Sequence, residues 1–261
     1  MNIDDDQFDR QKRVASWSQN IITSSKVCVV GAGALGNEVV KNLLQLGVVD
    51  ITVIDFDDIV VANLNRCVFF SREDVGKKKA DVIAAKASQV NLTAIVKVID
   101  SKVELLSEAT WSEFGFVFSC LDNLGARLHI NAHTYGKCVL IDGGTTGFMG
   151  KVQVVSNGSC LECSLQKRDY DSMWRKYSCV GDLLDIVDPK MPALPTTTSV
   201  VSALMVGEFV KIAHKMEGKM AQSNTFEGKY LFYNGVLNAF SEFNVQKRKD
   251  CPVHSSGVEV K

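Results

Sequence analysis

The chain has almost no net charge: 29 Lys and Arg against 30 Asp and Glu leave −1 at pH 7. No global field therefore favours nucleic acid or a membrane surface. Long apolar runs are missing as well, and none approaches the length of a membrane span. The opening Met1-Asn-Ile-Asp-Asp-Asp6 lacks the basic and apolar layout of a secretory leader, so a cytoplasmic protein is expected. Proline is scarce, and three of the four (Pro189, Pro192 and Pro195) crowd into one polar stretch. Internal repeats, low-complexity segments and linkers with a shift in composition are absent. One domain over residues 1–261 is therefore expected, with an N-terminal arm at 1–25 and a crossing loop at 164–196. The eight cysteines form no dense framework, which argues against a disulfide scaffold. In a reducing compartment, metal or catalytic use fits them better.

With 46% hydrophobic residues, the chain can bury a sizeable core. Its first half alternates short apolar strands with helical periodicity. Strands are predicted at Lys26 to Val30, Ile51 to Ile54, Ile95 to Ile99, Gly115 to Cys120 and Cys138 to Ile141. A helix over Leu35 to Leu46 places Leu35, Val39, Leu43 and Leu46 on one face. Helices are also predicted around Phe8 to Trp17, over Val75 to Val90, after a cap at Asp122 or Asn123, and from about Thr197 to Met216. Lys151 to Val155 and parts of Tyr230 to Phe243 alternate like antiparallel strands. The pattern predicts an α/β fold: a doubly wound, Rossmann-like and mostly parallel sheet, extended by antiparallel strands.

The loop Gly31-Ala-Gly33-Ala-Leu-Gly36 joins the first strand to its helix. Gly31 and Gly33 allow backbone to approach a phosphate, Gly36 allows close helix–strand packing, and the helix N-terminus attracts anions. Asp55 ends the next strand, where a ribose-binding acid belongs, and Asp57, two residues on, is a further candidate for binding the cofactor. This much also suits an NAD-dependent oxidoreductase. Asn63, Arg66 and Lys79 change the meaning, because cations there suit a polyphosphate, whose transfer chemistry depends on charge neutralisation. For Lys77 and Lys78 a solvated helix start is the preferred reading. Asp122, at the end of another strand, is placed to hold Mg²⁺ or to cap a helix.

Cys160-Leu-Glu-Cys163 and Cys251-Pro-Val-His254 form two half-sites with two intervening residues each. Four such ligands suit a closed, structural Zn²⁺ site that staples the C-terminal region onto the segment near Cys160. Cys179, in the crossing loop beside Arg175 and Lys176, is either a nucleophilic thiol or an ordinary loop cysteine. Arg10 and Arg13 in the arm read most simply as a solvated helix face, although an arginine supplied in trans to a phosphate site is a known device.

Taken in order, these segments resemble the activating enzymes for ubiquitin-like proteins and their MoeB/ThiF/HesA relatives. The resemblance rests on Phe8-Asp-Arg10-Gln11, the glycine loop, Asp55, Asn63-Leu-Asn65-Arg66, Val75-Gly76 with Lys79-Ala80, and Cys120-Leu-Asp122-Asn123. Ile141 to Gly150 and the two zinc half-sites extend it over nearly the whole chain. It implies ATP, Mg²⁺ and Zn²⁺ as cofactors and adenylation of a protein's C-terminal carboxylate. Asp55 would bind the ribose; Asn63, Arg66 and Lys79 the phosphates; Asp122 would place Mg²⁺. Arg10, and Arg13 with it, would reach into a neighbouring subunit of a homodimer. The implied substrate is a ubiquitin-like or sulfur-carrier protein ending in Gly-Gly, with thioester formation on Cys179 and a conjugating enzyme or sulfur donor downstream. Cys67 replaces a frequent glutamine, Lys78 a usual proline and His254 a common cysteine. A peptide or other small carboxylate, adenylated without a thioester, is the alternative inside the fold. A non-catalytic scaffold half of a heterodimer is disfavoured by the retained Arg66, Lys79 and Asp122.

Overall fold

The computed structural model describes residues 6–165, 192–216, 218–220 and 224–254. Cys179 and most of the crossing loop lie outside the described residues. Among the described residues, eight strands form one sheet in the order β3-β2-β1-β4-β5-β6-β7-β8. The strands are β1 (Lys26–Val30), β2 (Asp50–Ile54), β3 (Ile95–Ile99), β4 (Phe116–Ser119), β5 (Val139–Thr146), β6 (Met149–Val155), β7 (Lys229–Asn234) and β8 (Ala239–Asn244). β1 to β5 pair in parallel, and β6, β7 and β8 are added antiparallel. The expected mostly parallel sheet with an antiparallel extension is therefore present. Strand order reverses between β1 and β4, which opens a crevice at their carboxyl ends.

Helices cover both faces. On one lie α3 (Ala34–Leu46) and α7 (Pro195–Met216), packed against each other, with α4 (Lys79–Ala87) beside them. Val39, Val40, Leu43, Met205 and Phe209 are fully buried in this core. Phe209 also meets Phe116 edge-on at 4.8 Å. α3 stops at Gly47, which is left-handed (φ +92°); the Gly47 and Val48 N–H groups close back onto Leu44 and Leu43. The other face carries α5 (Glu108–Trp111) and α6 (Leu124–Thr134), over a core of Trp111, Val117, Ile130 and Leu140 that runs into Cys160, Cys163 and Cys251.

Three sequence expectations change. The arm is not one helix from Phe8 to Trp17 but two short ones, α1 (Asp9–Lys12) and α2 (Gln19–Thr23), separated by a left-handed Ser16 at φ 65°. α4 starts only at Lys79, because Gly76 adopts φ +89° and the strand-like Lys78 forms a bridge with Asp58. β5 does not end at Ile141 but runs through Gly143 and Gly144 to Thr146. α7 holds an 18-residue window of mean hydropathy 1.2, which passes for a membrane span by length and composition alone, and 56% of that window is buried inside the molecule. The buried polar side chains of α7 bond inside the molecule: Asn42 donates to Ser202 (2.9 Å), Glu208 accepts from the Phe226 N–H (2.7 Å), and His214 Nε2 accepts from the Ser18 N–H (3.0 Å).

Candidate active site and metal centre

A cleft of about 530 Å³ opens at the β1/β4 switch point. Its lining brings together Gly31, Gly33, Asp55, Asp57, Asn63, Arg66, Lys79 and Asp122. Gly36 lies behind it. A Cβ on Gly36 would fall 1.8 Å from the Gly31 carbonyl oxygen, so only glycine lets α3 approach the loop this closely. Gly31 itself has φ +94°. Gly33 has open space where a side chain would stand, and directly precedes the α3 N-terminus.

Asp55 is anchored by two backbone N–H groups, Ala32 at 2.6 Å and Asp57 at 2.8 Å. Burial nevertheless raises its pKa above the ordinary carboxylate value, against the pull of those N–H groups and of Lys79. Lys79 opens α4, and its side chain is largely buried, with Nζ donating to Asp57 at 2.6 Å. Asn63 accepts the Val60 N–H at 3.0 Å and so shapes the turn that carries Arg66. The Arg66 guanidinium donates to the Ala62 carbonyl and to Asn65. Asp122 is exposed at the rim, and the helix-capping role falls to Asn123, which accepts the Ala126 N–H at 3.1 Å. Lys77 and Lys78 do not line the cleft. Lys77 pairs with Asp74 at 3.1 Å, and Lys78 lies 3.5 Å from both Asp58 and Asp100. Arg10 also lies outside its own cleft lining, on α1, 3.4 Å from Asp9.

Several further neighbours were given no individual role by the sequence. Asp58, Cys120, Thr145 and Ala193 line the cleft, with Gly144. Behind Gly144 a buried ion pair joins Arg127 of α6 to Asp142 of β5, with Nε to Oδ1 at 2.9 Å. A Cβ on Gly144 would stand 3.1 Å from the Arg127 guanidinium, so glycine admits that side chain under the cleft wall. The sequence marks Arg127 only as a helix residue; the Gly-Gly pair after Asp142 is the one signal for the arrangement. Cys67 and Cys120 are buried thiols pushed up, by burial first, to about 11 for Cys67 and beyond the range of a reactive thiol for Cys120.

On the opposite face, Cys160, Cys163, Cys251 and His254 bring their ligand atoms within 4.8 Å of one another. Cys160 Sγ lies 3.8 Å from Cys163 Sγ and 3.5 Å from Cys251 Sγ, and Cys163 Sγ lies 3.0 Å from His254 Nε2. These separations are too long for disulfides. They suit sulfur and imidazole ligands sharing one tetrahedral ion. Around them the Arg248 N–H points at Cys163 Sγ (3.5 Å). The buried Asn131 amide faces Cys160, while its Oδ1 accepts the Leu161 N–H. Burial pushes the Cys160 thiol up to about 12, an effect the Asn131 amide opposes. Three thiols buried together, with donors aimed at them, fit thiolates held by a zinc ion. The Cys3His cluster can hold zinc.

Residues 8–253 match the model of the ThiF family. The NEDD8-activating enzyme E1 catalytic subunit of Dictyostelium discoideum is 38% identical over 156 residues, covering 54% of this chain and 35% of the relative. The SUMO-activating enzyme subunit 2 of the same organism is 38% identical over 151 residues, covering 54% and 22%. The NEDD8-activating enzyme E1 catalytic subunit of Schizosaccharomyces pombe is 26% identical, covering 88% and 70%. The chain thus matches about a third or less of the length of the first two. Among solved structures, E. coli MccB with ATP superposes with a TM-score of 0.75 at 19% identity, covering 95% of this chain and 74% of that one, a likeness of fold. Since the family match runs from the N-terminal arm to the second metal half-site, the chain belongs to the ThiF family.

Proposed function

We propose that this chain is an ATP-dependent adenylating enzyme for the C-terminal carboxylate of a ubiquitin-like or sulfur-carrier protein. The observation that carries the reading is the convergence of the glycine loop, Arg66, Lys79 and Asp122 on one cleft. A nucleoside triphosphate would place its ribose on Asp55 and its phosphates between the α3 N-terminus and the two cations. A carboxylate oxygen then attacks the α-phosphorus, a new P–O bond forms, and the bond to the β-phosphate oxygen breaks. Pyrophosphate leaves, and the product is an acyl adenylate. Arg66 and Lys79 stabilise the charge that builds on the phosphate oxygens.

Among the described residues, four carboxylates (Asp55, Asp57, Asp58 and Asp122) line the same cleft against two cations. That balance disfavours a bare triphosphate and favours Mg²⁺ near Asp122, where it would supply further charge neutralisation. The relatives include NEDD8-activating and SUMO-activating enzymes, which supports a ubiquitin-like substrate. Arg10, absent from its own cleft, fits a homodimer in which it serves the partner's site. Residues 1–261 would act as one adenylation domain in the cytoplasm, and a thioester on Cys179 would follow adenylation.

The fold likeness to MccB, solved with MccA, favours one second reading: adenylation of a peptide or small carboxylate without a thioester. Asn63 and Arg66 in the cleft, with the Arg10 arm, argue against an NAD-dependent oxidoreductase. ATP–pyrophosphate exchange against a panel of ubiquitin-fold proteins ending in Gly-Gly tests the proposal, with intact-mass detection of a Cys179 adduct in the same tube. Exchange stimulated by one of them is the expected result. Exchange with none of them, alongside calorimetric binding of NAD, would refute it.

A further inference from the structure

Asn37 sits in the first turns of α3 with no solvent exposure. Asparagine is a poor residue for a helix interior, and a buried amide is costly unless fully bonded. Here each end of the amide is used. Its Nδ2 donates to the carbonyl oxygens of Ala32 (2.8 Å) and Gly33 (3.0 Å), the peptides of the glycine loop. Its Oδ1 accepts the N–H of Phe69 at 3.1 Å, across 32 residues.

Both anchors matter to the cleft. The Ala32 unit is held at its N–H by Asp55 and at its carbonyl by Asn37, so its orientation is fixed from two sides. Phe69 stands three residues beyond Arg66, at the end of a run of turns in which the N–H groups of Arg66 and Cys67 both close onto the Asn63 carbonyl. The Phe69 carbonyl in turn accepts from Lys86 Nζ at 2.7 Å, on the helix that Lys79 opens. One buried amide therefore ties together the glycine loop, the Asn63–Arg66 turn and α4.

We infer that Asn37 is a positioning residue for nucleotide binding: it sets the glycine-loop peptides and the Arg66 turn at a fixed separation across the cleft. It touches no substrate and acts through Ala32, Gly33 and Phe69. The inference rests on the ATP reading of the cleft. It predicts that disturbing the amide weakens ATP out of proportion to any loss of fold, since an ångström of misplacement in a phosphate site is felt strongly.

The test uses the full chain and two variants, with ATP·Mg²⁺ titrated by calorimetry and hydrogen exchange at the Phe69 amide read by NMR. Asn37→Asp keeps the acceptor for Phe69 but turns a carboxylate oxygen toward the Ala32 and Gly33 carbonyls. It should leave the Phe69 amide protected and weaken ATP by about tenfold or more. Asn37→Ala removes both links; the Phe69 amide should exchange faster, with at least the same loss of affinity. Asn37→Asp that keeps the Phe69 amide protected and binds ATP within about twofold of wild type overturns the inference. Wild-type protein that gives no ATP heat overturns the nucleotide reading, and the positioning role with it. The two failures are thus distinguished by the wild-type titration.

Discussion

Stripping the metal from the Cys160–Cys163–Cys251–His254 cluster should lower the melting temperature by about 8 °C. The cluster joins positions 91 residues apart, Cys160 and Cys251. Closing a loop of that length removes chain entropy from the unfolded state, worth about 4–5 kcal/mol by the cross-link relation. For 261 residues the entropy of unfolding is roughly 0.55 kcal/mol/K, at about 2.1 cal/mol/K per residue. The quotient is the expected shift. The assay is calorimetric melting of the metal-loaded protein before and after chelation, with zinc counted by elemental analysis. Cys251→Ser serves as the covalent counterpart. ATP binding should survive, because the cleft lining shares no residue with the cluster. A protein shown to have lost its zinc, yet melting within about 2 °C of the loaded form, would refute the staple. Isolation with well under one zinc per chain would remove the ion from the account altogether.

Asp122→Ala should reduce ATP–pyrophosphate exchange by at least about a hundredfold with its gel-filtration elution matching wild type, and normal exchange would defeat the assignment. Cys179→Ser should retain exchange and lose any thiol-sensitive adduct on the chain, as intact mass will show. Gly36→Ala should destabilise the fold by roughly 1–3 kcal/mol or more in urea unfolding, since its new methyl meets backbone rather than a movable side chain. Asp74 is held well below the ordinary carboxylate value, first by Lys86 and then by Ser71. Its folded-state pKa is depressed, so its contribution to stability is present above about pH 4 and is lost as pH falls further. Asp74→Asn should therefore be less stable than wild type at pH 7, and the gap should close in acid. A gap that persists unchanged at pH 2 would show that ionisation is not the cause.

The βαβ unit from Val27 to Asp55 was legible because three constraints coincide there: an apolar run, glycines that backbone crowding requires, and a helical stripe at Leu35, Val39 and Leu43. The metal half-sites were legible as pairs because each is local. What the sequence hid depends on contacts between distant segments. The strand reads as ending at Ile141, yet it continues through Gly143, where a Cβ would fall 2.2 Å from the Met205 sulfur of α7 and that side chain would have to move aside. The arm reads as one helix because nothing in its periodicity announces the left-handed turn at Ser16. Asn37 carries no sequence signal at all, since its three partners come from two loops that meet only once the sheet has formed. Arg127 and Asp142, 15 residues apart, become a pair only when α6 crosses back over β5.

The contact between Lys79 and Asp57 changes how occupancy of the cleft should be understood. The ammonium has an anionic companion in Asp57, so an arriving phosphate competes for it. Binding strength then reflects the difference between two pairings, and removing the aspartate would release the cation for its guest. Asp57 thereby becomes a dial on nucleotide affinity, and a variant lacking that carboxylate should hold the ligand more tightly than the parent.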